Sequence, residues 1–502
     1  MSVTRWIKCG FGFGQTPVTL ERRKIMFRKL SRRDFLRLAG IATSSAALAA
    51  CAPQPAPVAT QPPAAGAPAP TAAPAAAKKV KIEFMNWWGA QRRPLMDQVI
   101  TDFMAANPNI EVTNQETPWD NRDQVAATAM ASSTPPAVMM STRVETYKYA
   151  KEGLIIPIDD YVKAAGVDVN KLFYPGEINN QRWNGKLWTM PMPTGGGNSS
   201  LYIYSKALFK AAGLDPEKPP KTWQELDDVA AKVLKKKGNA IEVMGVDPVG
   251  GTAAGATTLI YWLVCNNGNL ATEDARTLTI NTPEAVETLE WLVEFTNKHH
   301  GGWSNCIDFW TGNNDTAPDG RFYKDRLGIW WVNVSAFSHL KTQAPDKHKD
   351  PQNGWGVALR PYNGKNAKAT HHGETGLAFA WGQVIPKAIA KEKQDAAYKF
   401  VEFLSTNNKG VCAFLFAQDR PAPLISCNAN PDYKKNNPYW DIVLKALETD
   451  MSLPITPVQT EISSFMKEAV EKALLATAKP KAALDEAASK GQAVLDKYWK
   501  GA

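Results

Sequence analysis

Gly185–Leu226, GKLWTMPMPTGGGNSSLYIYSKALFKAAGLDPEKPPKTWQEL, is the stretch around which the rest of the chain is organised. Lys186–Met190 reads as a strand, Pro191, Pro193 and Gly195–Gly197 punctuate a loop, and Ser200–Tyr204 crowds aromatic and aliphatic residues into a second strand. Ala207, Leu208, Ala211 and Ala212 then recur at helical spacing, and Gly213 stands where a helix C-terminus places glycine. Past a Pro-rich turn, Thr222 is an N-cap with Glu225 at its third position. Strand, Gly-rich crossing, strand and helix is what a chain needs to leave one lobe and begin another.

The chain has 502 residues, 44% of them hydrophobic, enough for two or three sizeable cores. Its formal charge of +9 is concentrated at the front, where residues 1–50 hold ten Lys or Arg against two acids. The nearly neutral remainder argues against a nucleic-acid partner, because phosphate recognition needs clustered positive charge. The front is a targeting device. Ser31-Arg32-Arg33-Asp34-Phe35-Leu36-Arg37 resembles the twin-arginine export signal, and the apolar run Leu38–Ala50 is too short to span a bilayer. Leu48-Ala49-Ala50-Cys51 resembles a lipoprotein box, which implies lipidation of Cys51 and anchoring to the outer face of the cytoplasmic membrane. Met26 opens a signal of ordinary length and is the expected start, in which case Cys9 is never made. From Ala52 to Ala77 the composition is almost wholly Ala, Pro, Gln, Thr and Gly, an extended tether that cannot bury a core.

Val80, Ile82 and Phe84 alternate in a strand that ends at Trp87-Trp88-Gly89, and a helix at Pro94–Asn107 and a strand from Ile110 close a βαβ unit. Open α/β sheets bind ligands beside the carboxyl ends of their strands. Further helices are expected at Thr222–Lys237, Ala254–Asn266, Pro283–Lys298, Gln394–Ser405 and Thr460–Tyr498.

The opening stretch, with FMAANPNIEV at Phe103–Val112, PPAVMMSTRVETYKYAKEGLIIPIDD at Pro135–Asp160, DRLGIWWVNVSAFSHLK at Asp325–Lys341 and DAAYKFVEFLSTNNKGVCAFLF at Asp395–Phe416, resembles the family 1 extracellular solute-binding proteins, the sugar-binding subunits of ABC importers. The resemblance implies an α/β, two-lobed periplasmic-binding-protein-like fold of class II type, with a ligand cleft between lobes and a hinge of three crossings. It divides the chain into a signal and lipobox at 1–50, a lipidated Cys and tether at 51–78, a first lobe of 79–195 with about 332–383, and a second of 196–331 with about 384–502. In it the chain returns to the first lobe for a strand at Gly354–Leu359. It also implies partners, namely a small solute, permease subunits and, through the anchor, the membrane; a monomer is expected.

Seventeen tryptophans suit a sugar site, which stacks the apolar face of a pyranose on an aromatic ring and meets its hydroxyls with polar groups. Strand-end and loop positions single out Trp87, Trp88 and Trp119, with Asp120, Arg143, Glu145, Asn333, Ser335, Glu374 and Arg420 as polar candidates in segments the family uses for ligand. Maltodextrin binders of the family carry an aromatic and an Asp-Arg pair where this chain has Ser141, Val144 and Glu145, and a Trp where it has Ser335, which leaves a smaller or differently hydroxylated ligand open. The chain lacks the nucleophile elbow, the phosphate-binding loop and the His-Glu-x-x-His of enzymes, so neither catalysis nor a cofactor is expected. Adjacent pairs His299-His300 and His371-His372 would point their rings to opposite faces of a strand, a poor arrangement for a metal. The reading is therefore a binder of a sugar, oligosaccharide or polyol, with a glycerol phosphodiester or peptide binder, and more remotely a secreted carbohydrate-active enzyme, as alternatives. Four cysteines remain after Cys9 and Cys51, and an oxidising compartment favours pairing, expected as Cys265 with Cys306 and Cys412 with Cys427, both within the second lobe.

Overall fold

Val80–Asn86 (β1) buries Ile82, Phe84 and Asn86 on one face, the alternation its sequence dictates. Helix Arg93–Ala106 (α1) follows, with Met96, Val99, Ile100 and Phe103 at the spacing that lines one helical stripe. Ile110–Glu116 (β2) then lies parallel to β1, from Val80 opposite Ile110 to Asn86 opposite Glu116. After helix Arg122–Met130 (α2), Val138–Thr142 (β3) runs parallel on the other side of β1. Thr142 caps helix Arg143–Lys151 (α3) through a reciprocal capping box with Glu145. The structure is a computed structural model that describes residues 79–193, 197, 199–312, 315, 317–331, 334–375 and 380–501. The expected export signal, lipobox and tether lie outside these residues.

A second sheet is built on Leu201–Tyr204 (β4), whose residues are all buried. Helix Trp223–Val233 (α4) starts at the capping box of Thr222 and Glu225, and helices Ala256–Leu263 (α5) and Pro283–Phe295 (α6) follow. Ile329–Trp331 (β5) and Gly356–Leu359 (β6) flank β4, both antiparallel. Between them lies helix Ala336–Gln343 (α7). Trp381–Val384 (β7) returns to the first sheet, antiparallel to β3, giving the order β7-β3-β1-β2. The chain closes with helices Lys391–Thr406 (α8), Trp440–Thr449 (α9), Gln459–Leu474 (α10) and Pro480–Lys500 (α11).

Two large hydrophobic cores follow from these sheets. In the first, Phe84, Phe103 and Phe400 meet edge to face with centroids 4.9 and 5.2 Å apart. In the second, Trp223 stacks on Trp291 at 4.1 Å and Trp262 packs edge-on to Trp291 and Trp331. Apart from Tyr147 of α3, which packs on the second core, the chain passes from first core to second between Met192 and Leu201, back between Val357 and Trp381, and again between Cys427 and Tyr433. A smaller cluster on the first lobe gathers Met130, Met139, Tyr149, Trp188 and Val384.

Several expectations need correction. The strand at 354–359 belongs to the second sheet, where it supplies one of the two edges that the fully buried β4 requires. Residues 384 to 427 pack in the first lobe, because the apolar stripe of α8 covers β1 and α1. The expected helix Thr222–Lys237 ends at Val233, and Lys235–Lys237 pairs with Ala240–Val243 as a hairpin. The single C-terminal helix divides after Leu474. Cys412 and Cys427 are bridged, but on the first core rather than the second. Cys265 and Cys306 are separate buried thiols: Cys265 Sγ donates to the His372 carbonyl at 3.2 Å, and Cys306 Sγ bonds His300 Nδ1 at 3.0 Å. Burial pushes the Cys265 thiol up to about 11 and that of Cys306 higher still, so both stay protonated.

Candidate functional site

The first sheet collects its aromatic residues at one edge. The parallel strands β1, β2 and β3 end there, and because β7 runs antiparallel its first residue, Trp381, lies at the same edge opposite Thr142. Trp87, Trp88 and Trp119 surround Trp381 with ring centroids 5.4, 5.6 and 5.7 Å away. Trp119 is 50% exposed, and the Arg122 guanidinium sits 4.0 Å from its ring. Trp87 is nearly buried and its indole N–H has no hydrogen-bond partner. Trp88 is fully buried against Phe414 and belongs to the core more than to the edge.

Arg143 opens α3 just beyond this edge. It is buried, its Nε donates to Tyr147 Oη at 2.8 Å, and its Nη1 finds no acceptor. It lines a cavity of about 640 Å³ between the lobes, with Arg182 and Trp183 on one side and Glu273, Arg276 and Trp499 on the other. Lys151 reaches from α3 to 3.4 Å from the Tyr498 ring, and Lys341 of α7 pairs with Asp419 at 3.0 Å, so the lobes also touch through these contacts.

The crossings are knitted by polar groups. Ser199 Oγ donates to the Glu374 carbonyl and accepts the Glu374 N–H, the Thr375 N–H donates to Met451 O, and Asn180 Nδ2 donates to Thr375 Oγ1. Asp450 accepts from the Gly197 N–H at 2.6 Å and from Ser200 Oγ at 3.0 Å. Burial pushes its carboxyl up to about 7 against those two hydrogen bonds. Gly197 has φ +74°, and a Cβ there would meet Val334 Cγ1 at 2.7 Å, so the crossing passes tightly against the loop before α7. The Arg360 guanidinium is buried beside Tyr261, Trp262 and Trp331 and donates from Nε to Ser199 O. Burial lowers its pKa to about 10.

The sequence candidates divide accordingly. Trp87 and Trp119 gather around Trp381 at the edge of the first sheet, Arg143 lines the cavity between the lobes, and Arg420 is buried. Asp120 is exposed in the turn before α2. Glu145 is committed to the capping box, and burial raises its pKa. Ser335 is half-buried immediately before α7, and Glu374 is buried at the crossing. Asn333 lies outside the described residues. Trp381, Arg92, Arg122, Arg360 and Asp450 escaped sequence reading; Trp381 could have been found only by knowing that its strand runs antiparallel. The histidine pairs do not lie on strands: His299 bonds Asp227 at 2.6 Å, and His300 Nε2 bonds the Val246 carbonyl at 2.8 Å. Asp247, His300 and Cys306 bring ligand-type atoms within 4.8 Å of one another, but Asp247 already accepts from the Val249 and Gly251 N–H groups and the Trp310 indole, which makes this a hydrogen-bonded core network.

Comparison with known proteins gives this arrangement a family. The model for the bacterial extracellular solute-binding proteins matches residues 88–409. The chain belongs to that family. The sn-glycerol-3-phosphate-binding periplasmic protein UgpB of Escherichia coli (strain K12) is a relative 23% identical over 416 residues, covering 81% of this chain and 90% of its own. The sugar-binding protein MalE from Xanthomonas citri superimposes with a TM-score of 0.69 at 18% identity, over 84% of this chain and 98% of its own. CpMnBP1 with mannotriose bound gives 0.65 at 22%, over 82% and 99%. These likenesses establish the two-lobed solute-binding fold, and the family and its neighbours are binding proteins. Among the described residues no helix is long and apolar enough to cross a membrane.

Proposed function

We propose that this solute-binding protein captures a sugar, oligosaccharide or related polyol outside the cytoplasmic membrane, closes its lobes over it and delivers it to the permease of an ABC importer. The observation that carries the reading is the edge formed by Trp87, Trp119 and Trp381, flanked by Arg122, where strand ends of the first sheet gather aromatic faces. Aromatic faces stack on sugar C–H groups, and polar side chains of both lobes meet the hydroxyls. Ligand drives closure only to the extent that it stabilises the closed arrangement more than the open one. In this reading the protein acts as a monomer, is exported through its twin-arginine segment and is held at the outer face of the membrane by a lipid on Cys51. A thermal-shift screen of the mature protein against mono- and oligosaccharides and polyols tests it, since a ligand that binds only the folded state raises Tm with its occupancy. No shift from any of them would refute the reading.

A further inference from the structure

Arg420 is only 5% exposed, yet its guanidinium makes no hydrogen bond or ion pair with any described residue, and its Nε is fully enclosed without a partner. The neighbouring Asp419 does not serve it, being taken by Lys341 and by Asn436, whose Nδ2 donates at 2.7 Å. Glu177 attracts the guanidinium without pairing with it, while Arg92 repels it. Burial, with that repulsion, lowers the pKa of Arg420 to about 9. Burying a cation whose enclosed Nε finds no acceptor is costly, and folded proteins compensate such groups with an anion.

Arg92 is a second cation on the first lobe. It is half-buried 5.6 Å from the Trp88 ring at the aromatic edge, and it too makes no ion pair among the described residues. Besides Arg420 it acts on His339 of α7, whose pKa is lowered by burial and then by Arg92. Phe414 packs on Trp88 at 5.1 Å, the Arg420 N–H donates to Leu415 O, and Asp419 pairs with Lys341 of α7 at 3.0 Å, so the segment that carries Arg420 runs from the aromatic edge of the first lobe to a helix of the second. Guanidinium groups bind carboxylates and phosphates through paired N–H donors, the chemistry a neutral sugar does not offer.

We infer that the solute carries an oxyanion, a carboxylate or phosphoryl group on a sugar or polyol, and that Arg420 with Arg92 receives it beside the tryptophan edge. This rests on the solute-capture reading and narrows its substrate class. Both arginines act as binding groups, and no covalent step is involved.

Isothermal titration and thermal shift of the mature protein with sn-glycerol 3-phosphate, digalacturonate, and their neutral counterparts glycerol and galactobiose test the inference. One of the two anions is expected to bind and raise Tm, and which one does so distinguishes a phosphoryl from a carboxylate ligand. Arg420→Gln is expected to weaken that binding roughly 30-fold or more, while the ligand-free variant is at least as stable as the wild type because an unpaired buried cation has been removed. Arg92→Gln, at a less buried position, gives the same direction of effect with less risk to the fold. Neutral saccharide binding without anion binding overturns the inference and leaves the solute-capture reading standing. Binding of nothing in this panel or in the broader screen overturns both. An Arg420→Gln variant that loses stability but keeps full anion affinity assigns Arg420 to structure and also overturns the inference.

Discussion

Asp450→Asn should change the pH dependence of stability in a direction set by its surroundings. One oxygen of Asp450 accepts from Gly197 and Ser200, and the other is buried without a partner. Burial chiefly, assisted by Glu177 and Glu374, raises its pKa from 3.8 to about 7. Between those values the folded chain holds a proton that the unfolded chain has lost, so its contribution to stability is fully present below about pH 4 and falls as pH rises. The slope is about 1.4 kcal/mol per pH unit, or about 3 kcal/mol from pH 5 to pH 7, with a constant deficit above that. His371 acts in the opposite sense. Burial lowers its pKa from 6.5 to about 4, so its contribution is lost as pH falls through that window. The wild-type curve is therefore a composite, and the difference between wild type and Asp450→Asn isolates the carboxyl. Asn keeps an acceptor for Gly197 and Ser200, so the variant should gain on the wild type as pH rises from 5 to 7. Urea unfolding at four pH values from 5 to 8 measures this; parallel curves for the two proteins would refute the reasoning.

Trp119→Ala removes a half-exposed ring and should weaken solute binding by about 1–3 kcal/mol with little change in Tm, whereas Trp88→Ala should lower stability by about 3–5 kcal/mol because its ring fills the first core. Titration calorimetry and denaturant melts separate the two, and the reverse pattern would move the site elsewhere. Opening the Cys412–Cys427 bridge by a double Ser substitution should cost about 3 kcal/mol, as expected for a cross-link spanning 15 residues; an unchanged urea midpoint would contradict it. Cys51→Ala should release the protein from the membrane fraction, and Arg32-Arg33 to Lys-Lys should block export of the folded chain; fractionation and secretion assays read both outcomes.

Local signals were legible in the sequence wherever a few neighbouring residues suffice to create them. Thr222 and Glu225 specify a helix start by themselves, and so do the apolar stripe of α1 and the alternation of β1, because each depends on contacts within a turn or along a strand. The motifs spread along the chain carried the family, and with it the two lobes and three crossings. Trp87 and Trp119 could be singled out because a parallel strand's carboxyl end is readable from the order of strand and helix. Tertiary structure decided what such patterns leave open: a strand's alternation says that it has a partner, but not which sheet provides it, so 356–359 joined β4. An amphipathic helix announces a buried face, but not which sheet it covers, so α8 went to the first lobe. Cysteine spacing does not say where sulfur atoms point, and Cys265 and Cys306 found separate partners. Trp381 and Asp450 owe their significance to groups hundreds of residues away, and Arg420 to an enclosed Nε that finds no partner among the described residues, and only the folded chain decides such placements.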